Sequence, residues 1–146
     1  MSGPYTVDAS VFLNAFNVGE AGQADSQRFL AHLQAKTIPI VVPTLLLPEV
    51  AATIARGCGE PELSRPFVAA LVRLPHLVLV PLDTALARQT AEVAAQHRVR
   101  GSDAVYATVA LRFGSTLVTL DKEQHDRLIS ALTTRYPADA LREMGL

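Results

Sequence analysis

Apolar residues along this chain follow two alternating periods. Short β-branched and aliphatic runs recur at Tyr5–Asp8, Ile38–Val42, Leu77–Pro81 and Thr116–Leu120. Longer stretches with helical spacing separate them. In Gln23–Lys36, Phe29, Leu30 and Leu33 share one face, and in Glu62–Leu74 the residues Phe67, Leu71 and Leu74 stand at i, i+4 and i+7. Ala9–Phe16 is an apolar helix that ends near Asn17 and Gly19. Ile38–Val42 is a continuous β-branched run, the pattern of a strand buried on both faces. A helix is expected to start at Pro43-Thr44, with Thr44 as N-cap and Pro48 in the first turn, where a missing N–H is tolerated. It should run to Arg56 and stop at Gly57. Asp83–His97 reads as an Ala-rich helix, Ser102–Phe113 as a helix ending at Gly114, and Glu123–Ser130 as a short one. Residues 131–136 are expected to add a last edge strand. Strands alternating with helices predict a parallel sheet with helices on both faces and right-handed crossovers. No repeat, linker or low-complexity segment interrupts the pattern, so 1–146 is expected to be one domain.

Composition narrows the class. A chain of 146 residues buries about 68–70% of its unfolded surface, and at 49% apolar and 18% charged it has the balance of a globular domain. Cys58 is the only cysteine, which excludes an intramolecular disulfide and fits a reducing compartment. It lies between two glycines and is expected to be an inert loop or helix-end residue. Residues 1–7 carry no basic side chain, so no secretory signal is evident. The most apolar stretch, Ile38–Val50, is interrupted by Pro39, Pro43, Pro48 and Glu49 and is too short to span a bilayer. A cytoplasmic protein with no membrane partner is expected. The net charge of −1 argues against a nucleic-acid partner only until its distribution is considered.

Four acids stand where strand ends should meet helix starts: Asp8 in Y-T-V-D-A-S, Glu49 in L-P-E-V-A-A-T, Asp103 in R-G-S-D-A-V-Y-A and Asp121 in T-L-V-T-L-D-K-E. In an open α/β sheet, ligands bind at the carboxyl ends of the strands. Carboxylates gathered there repel one another and imply a cation, and an oxygen-only donor set suits Mg²⁺ or Mn²⁺. With these four neutralised by metal, the rest of the chain is positive, and its cations are 11 Arg against 2 Lys. Arg suits bidentate phosphate contacts. Each acid alone has an ordinary explanation. Asp8 and Asp121 can cap helices, Asp103 can answer a helix dipole, and Glu49 can pair with Arg56. All four ordinary explanations must hold together to dismiss the site. Thr119 precedes Asp121 by two, so both side chains point the same way in a strand, and its hydroxyl is a candidate to orient that carboxylate or a metal-bound water. Ser10 stands two after Asp8 in the same supporting role. Arg98 and Arg100, just before Asp103, are candidate phosphate contacts. Aromatic residues are 5% of the chain, so no base-stacking platform is evident.

Asp8-Ala9-Ser10, Glu49 in P-E-V-A, Asp103 in S-D-A-V-Y-A-T-V-A and Thr119-Leu120-Asp121 together resemble the signatures of PIN-domain ribonucleases, nearest to the toxins of VapBC-type toxin–antitoxin pairs. The resemblance runs from Tyr5 to about Pro137. It implies a three-layer α/β/α sandwich of Rossmann-like topology and one or two Mg²⁺ or Mn²⁺ ions. Asp8 and Asp103 would be direct ligands, and Glu49 and Asp121 would bind directly, through water, or help deprotonate the nucleophile. It further implies endoribonuclease activity on RNA, a homodimer, and a small antitoxin protein as partner. The segment after Asp121 departs from the family pattern, with a weakly apolar final strand.

Other classes have weaker support. A phosphoacceptor receiver would use Asp83 and Lys122, but it wants an acidic pair after the first strand where only Asp8 stands. A haloacid-dehalogenase phosphatase needs D-x-D there, and Ser10 replaces the second Asp. A PIN-like module that has lost catalysis and only binds a protein is the main alternative. His32, His76, His97 and His125 lack any metal-binding spacing, and Leu45–Ala55 reads as core more than as a partner groove.

Overall fold

The computed structural model describes residues 3–146. Their strands are β1 (Tyr5–Val7), β2 (Ile40–Pro43), β3 (Leu77–Val80), β4 (Thr116–Val118) and β5 (Thr134–Arg135). Their helices are α1 (Ala9–Phe16), α2 (Gln23–Ala35), α3 (Leu46–Cys58), α4 (Ser64–Val72), α5 (Thr84–His97), α6 (Gly101–Phe113), α7 (Lys122–Leu128) and α8 (Pro137–Glu143). All strand pairs are parallel, in the order β3-β2-β1-β4-β5. The chain moves outward from β1 through β2 to β3, then crosses back to β4 and β5. Right-handed crossovers therefore place α1–α4 on one face and α5–α7 on the other. The packing of α1 on α2 and α3, of α3 on α4, and of α6 on α5, β1, β2 and β4 agrees. The result is the expected three-layer α/β/α sandwich.

Three elements position the site. β1 and β2 are wholly buried, as continuous apolar runs in a covered parallel sheet should be. In α6 every residue from Asp103 to Ala110 is buried. That helix lies between the sheet and α5, so Asp103 in its first turn is buried while Gly101, one step from Arg100, stays exposed.

Several boundaries differ from the sequence reading. Thr44 is not the N-cap of α3. Its N–H donates to Val80 O at 2.9 Å, extending the β2–β3 ladder, and Leu45 flanks the helix with no side-chain cap. α3 continues through Gly57 to Cys58, because Gly59 adopts the left-handed conformation (φ 73°) and returns its N–H to Ala55 O at 2.8 Å. Cys58 thus ends a helix, and its side chain lies outside the described residues. The 62–74 stretch starts as a 3-10 turn over Pro61–Leu63, held by Ser64 Oγ on Pro61 O at 2.7 Å, and its α-helical part ends at Val72. The edge strand is present but short. After it α8, not foreseen in the sequence, starts on Pro137, whose fixed φ suits a first helical position. It buries Pro137, Ala140 and Leu141 against the α2 side of the fold. From α3, Leu46 and Val50 are core residues. Among the described residues no helix is long and apolar enough to cross a membrane.

Candidate active site

The strand order creates the site. The chain leaves β1 toward one edge of the sheet and β4 toward the other, so a crevice opens between their carboxyl ends, where open α/β sheets bind ligands. Asp8 follows β1 and Asp121 follows β4 by three residues. In the β1–β4 register Val7 stands opposite Val118, and Asp8 N donates to Val118 O at 3.0 Å. Glu49 comes from the first turn of α3 and Asp103 from the first turn of α6. Four separate segments thus bring one acid each toward the crevice.

Asp8 is the N-cap of α1 and almost fully buried. Its Oδ2 accepts from Ser10 N at 3.0 Å. Burial is the main reason its carboxyl is pushed above the ordinary range. The charge of Asp121 adds to this, while hydrogen bonding from Ser10 and the influence of the nearby Gln124 amide oppose it. Glu49 is raised by burial too, against a Tyr106 hydroxyl that donates to its Oε1 at 2.7 Å, with Asp8 and Asp103 pushing it further up. Asp103 is likewise raised by burial and by Asp8 and Asp121, although Arg100 works the other way. These groups feel one another as a single negative cluster.

Arg100 answers part of that charge. Its Nε donates to Asp103 Oδ2 at 3.0 Å and its Nη2 to Asp121 Oδ2 at 2.7 Å. The side chain is 62% exposed, so it spans the mouth of the crevice as a clasp. Arg98 is placed differently. It takes the left-handed cap of α5 (φ 55°), its carbonyl accepts from Arg127 Nη1 at 2.6 Å, and it has no contact with the acids among the described residues.

The hydroxyls act as struts. Thr119 is fully buried. Its Oγ1 donates to Gln124 Oε1 at 2.6 Å and accepts from Asp121 N at 3.0 Å. Asp121 Oδ1 accepts from Gln124 N at 2.9 Å, so the acid also caps α7. Ser10 Oγ accepts from Leu120 N at 3.1 Å and ties the β1 end to the β4 end. Two residues here escaped sequence reading, Tyr106 and Gln124, both fully buried. Each stands three positions after a site acid at a helix start, hence on the same helix face. That spacing was the available signal. The Tyr106 hydroxyl is itself held far above its ordinary pKa by burial and by the charges of Asp8 and Glu49, so it remains a donor.

The donor set fits a hard divalent cation. It is all oxygen, Asp8, Glu49 and Asp103 are raised by desolvation and by the charge of neighbouring acids, and a dication would relieve both. Among the described residues no three acidic, imidazole or thiol side chains yet converge as a ligand cage, and Arg100 supplies the positive charge between Asp103 and Asp121. The residues of the receiver alternative go elsewhere. Asp83 Oδ1 caps α5 by accepting from Leu86 N at 2.8 Å, and Lys122 pairs with Asp126 at 2.6 Å. Away from the acids, α1, α2 and α4 enclose an apolar cleft of about 450 Å³ lined by Phe12, Phe16, Leu30, Phe67 and Leu74.

Comparison with known proteins gives a consistent frame. The PIN domain family model matches residues 5–128. Among solved structures, the Mycobacterium tuberculosis toxin VapC20, described as cleaving the sarcin-ricin loop, superposes with TM-score 0.69 at 21% identity, covering 90% of this chain and 97% of that one. VapBC2 from Rickettsia felis, solved with a DNA fragment from its promoter, gives 0.68 at 14% identity over 91% and 98% of the two chains. FitAcB from Neisseria gonorrhoeae gives 0.67 at 15% identity over 92% and 98%. No curated protein matches the chain.

Proposed function

Because this chain belongs to the PIN-domain family, we propose that it is a metal-dependent endoribonuclease, the toxin of a toxin–antitoxin pair. The observation that carries the reading is that Asp8, Glu49, Asp103 and Asp121, from four segments, lie near enough at the carboxyl ends of β1 and β4 for Asp8, Glu49 and Asp103 each to be pushed up by the charge of neighbouring acids. Asp8 and Asp103 would hold one or two Mg²⁺ or Mn²⁺ ions, with Glu49 and Asp121 completing the set directly or through water. Bound metal supplies Lewis-acid stabilisation of phosphate charge and a more acidic water. The chain's own contribution is placement. Ser10 orients Asp8, Tyr106 orients Glu49, and Thr119 with Gln124 orients Asp121. Arg100 would turn from the acids to a phosphate of the substrate when the cation arrives, in keeping with its exposed guanidinium, and Arg98 would add a flanking phosphate contact.

RNA as substrate, a cytoplasmic setting, a homodimer and a small antitoxin are proposed on the resemblance to VapC-type toxins. The apolar cleft beside Phe16 and Phe67 suits the apolar face of such a partner. A second reading, a PIN-like module that only binds protein, is favoured by one observation: Arg100 clasps Asp103 and Asp121, and among the described residues the acids form no ligand cage.

The deciding experiment is cleavage of total cellular RNA by wild type and Asp8→Asn, purified identically, with Mn²⁺, Mg²⁺ or EDTA. Discrete products from wild type alone, and only with metal, are expected. Equal cleavage by Asp8→Asn, or cleavage that survives EDTA, refutes the assignment. Mn²⁺ uptake without cleavage of any RNA selects the binding-module reading.

A further inference from the structure

Gln124 carries a buried polar atom that the site as described leaves unexplained. The side chain is fully buried, and its Nε2 has no partner within hydrogen-bond geometry. A buried amide nitrogen left so normally costs free energy, which marks it for explanation. Its orientation follows from its neighbours. Thr119 Oγ1 accepts from Asp121 N at 3.0 Å and donates to Gln124 Oε1 at 2.6 Å, so Oε1 is the amide atom that faces it. Nε2 then points away from Thr119. One step beyond the Val7–Val118 pair, with its N–H on Val118 O at 3.0 Å, Asp8 stands beside Thr119, and the Gln124 amide favours the charged form of its carboxylate. Thr119 therefore aims an amide donor from α7 at the acid at the head of α1.

The residue type suits the task. A Lys or Arg in this buried position would compete with a cation for Asp8, and a Glu would add a further charge to a cluster already repelling itself. An amide donates without changing the charge. Partners one layer behind a ligand fix its orientation, and their loss typically weakens metal binding about 10–100-fold.

We propose that Gln124 is a positioning residue, whose amide N–H, aimed by Thr119, holds the Asp8 carboxylate in the orientation from which it receives the cation. The inference rests on the cation reading above. Its test has two arms. In the first, the Gln124 side-chain amide resonances of ¹⁵N-labelled protein in EDTA, assigned through the residue's own side-chain carbons, are compared between wild type and Asp8→Asn. They are expected to shift, and unmoved resonances overturn the contact. In the second, free Mn²⁺ is followed by electron paramagnetic resonance in wild type, Gln124→Met, Asp8→Asn and the double variant. Gln124→Met is expected to weaken Mn²⁺ binding about tenfold in the wild-type background and less than about twofold with Asp8→Asn, since it acts through Asp8. Unchanged affinity in Gln124→Met, or an equal loss in both backgrounds, overturns the proposal. A wild type that takes up no Mn²⁺ overturns the cation reading and this role with it, and the resonance arm separates that failure from a missing Gln124–Asp8 contact. That arm needs no substitution at Gln124, so it stands even if Gln124→Met does not fold.

Discussion

Replacing Thr119 by Val tests whether this hydroxyl is a strut and not a ligand. The side chain is 0% exposed, so Val fills the same space. The change removes a donor 2.6 Å from Gln124 Oε1 and an acceptor 3.0 Å from Asp121 N. Each stranded buried group costs about 1–3 kcal/mol. Gln124 Oε1 is deeply buried and should sit near the upper end. Asp121 is part-exposed, with its side chain 30% accessible, so water partly replaces the loss there. The expected total is about 2–4 kcal/mol, against about 5–15 kcal/mol for a whole domain. For chains somewhat larger than this one, each kcal/mol lowers Tm by about 2–4 °C, so a drop of about 4–16 °C is expected. Thr119→Ser keeps the hydroxyl and gives up one methyl group, at about 1 kcal/mol. Urea unfolding followed by circular dichroism, and calorimetry, both in EDTA, would measure the three proteins. A Val variant within about 0.5 kcal/mol of wild type, the usual scatter of neutral changes, would refute the reasoning. So would a Ser variant as damaged as Val.

The buried acids carry a sign for pH. Burial raises the folded-state pKa of Asp8, Glu49 and Asp103, so between the unfolded and folded values the native state binds more protons. Stability is then highest at and below the unfolded carboxylate range and is lost as pH rises through the folded values. Metal-free Asp8→Asn should therefore have a higher urea midpoint than wild type at pH 7, with the gain shrinking toward pH 4.5. A variant less stable than wild type at pH 7 contradicts the argument. Arg100→Ala removes the cation between Asp103 and Asp121, so Mn²⁺ should bind several-fold tighter. RNA should bind more weakly, with the salt dependence of log K reduced by about one counterion. Weaker Mn²⁺ binding in Arg100→Ala would mean that the clasp organises the acids and does not compete for them.

Sequence determined the architecture because its signals are local. β-branched runs alternating with helical periods force a covered parallel sheet, and an acid at the end of such a run lands on the sheet's carboxyl edge, as Asp8 and Asp121 do. Asp83 as a helix cap was equally legible, since its partner is three residues away. Turn details were less so. Thr44 looked like a cap, but the neighbouring strand β3 took its N–H, and two glycines flanked the end of α3 with only Gly59 in the conformation that stops it. α8 was missed because its few apolar residues form a face only when α2 is there to receive them. What the tertiary structure alone decided is the wiring of the site. Arg100 meets Asp121 across 21 residues and Tyr106 meets Glu49 across 57, and neither pairing leaves a mark in local composition. A charged or hydroxyl side chain has many partners of suitable chemistry along a chain. Which one it takes is settled when strand order and helix packing bring one of them within 3 Å and bury the alternatives away from water.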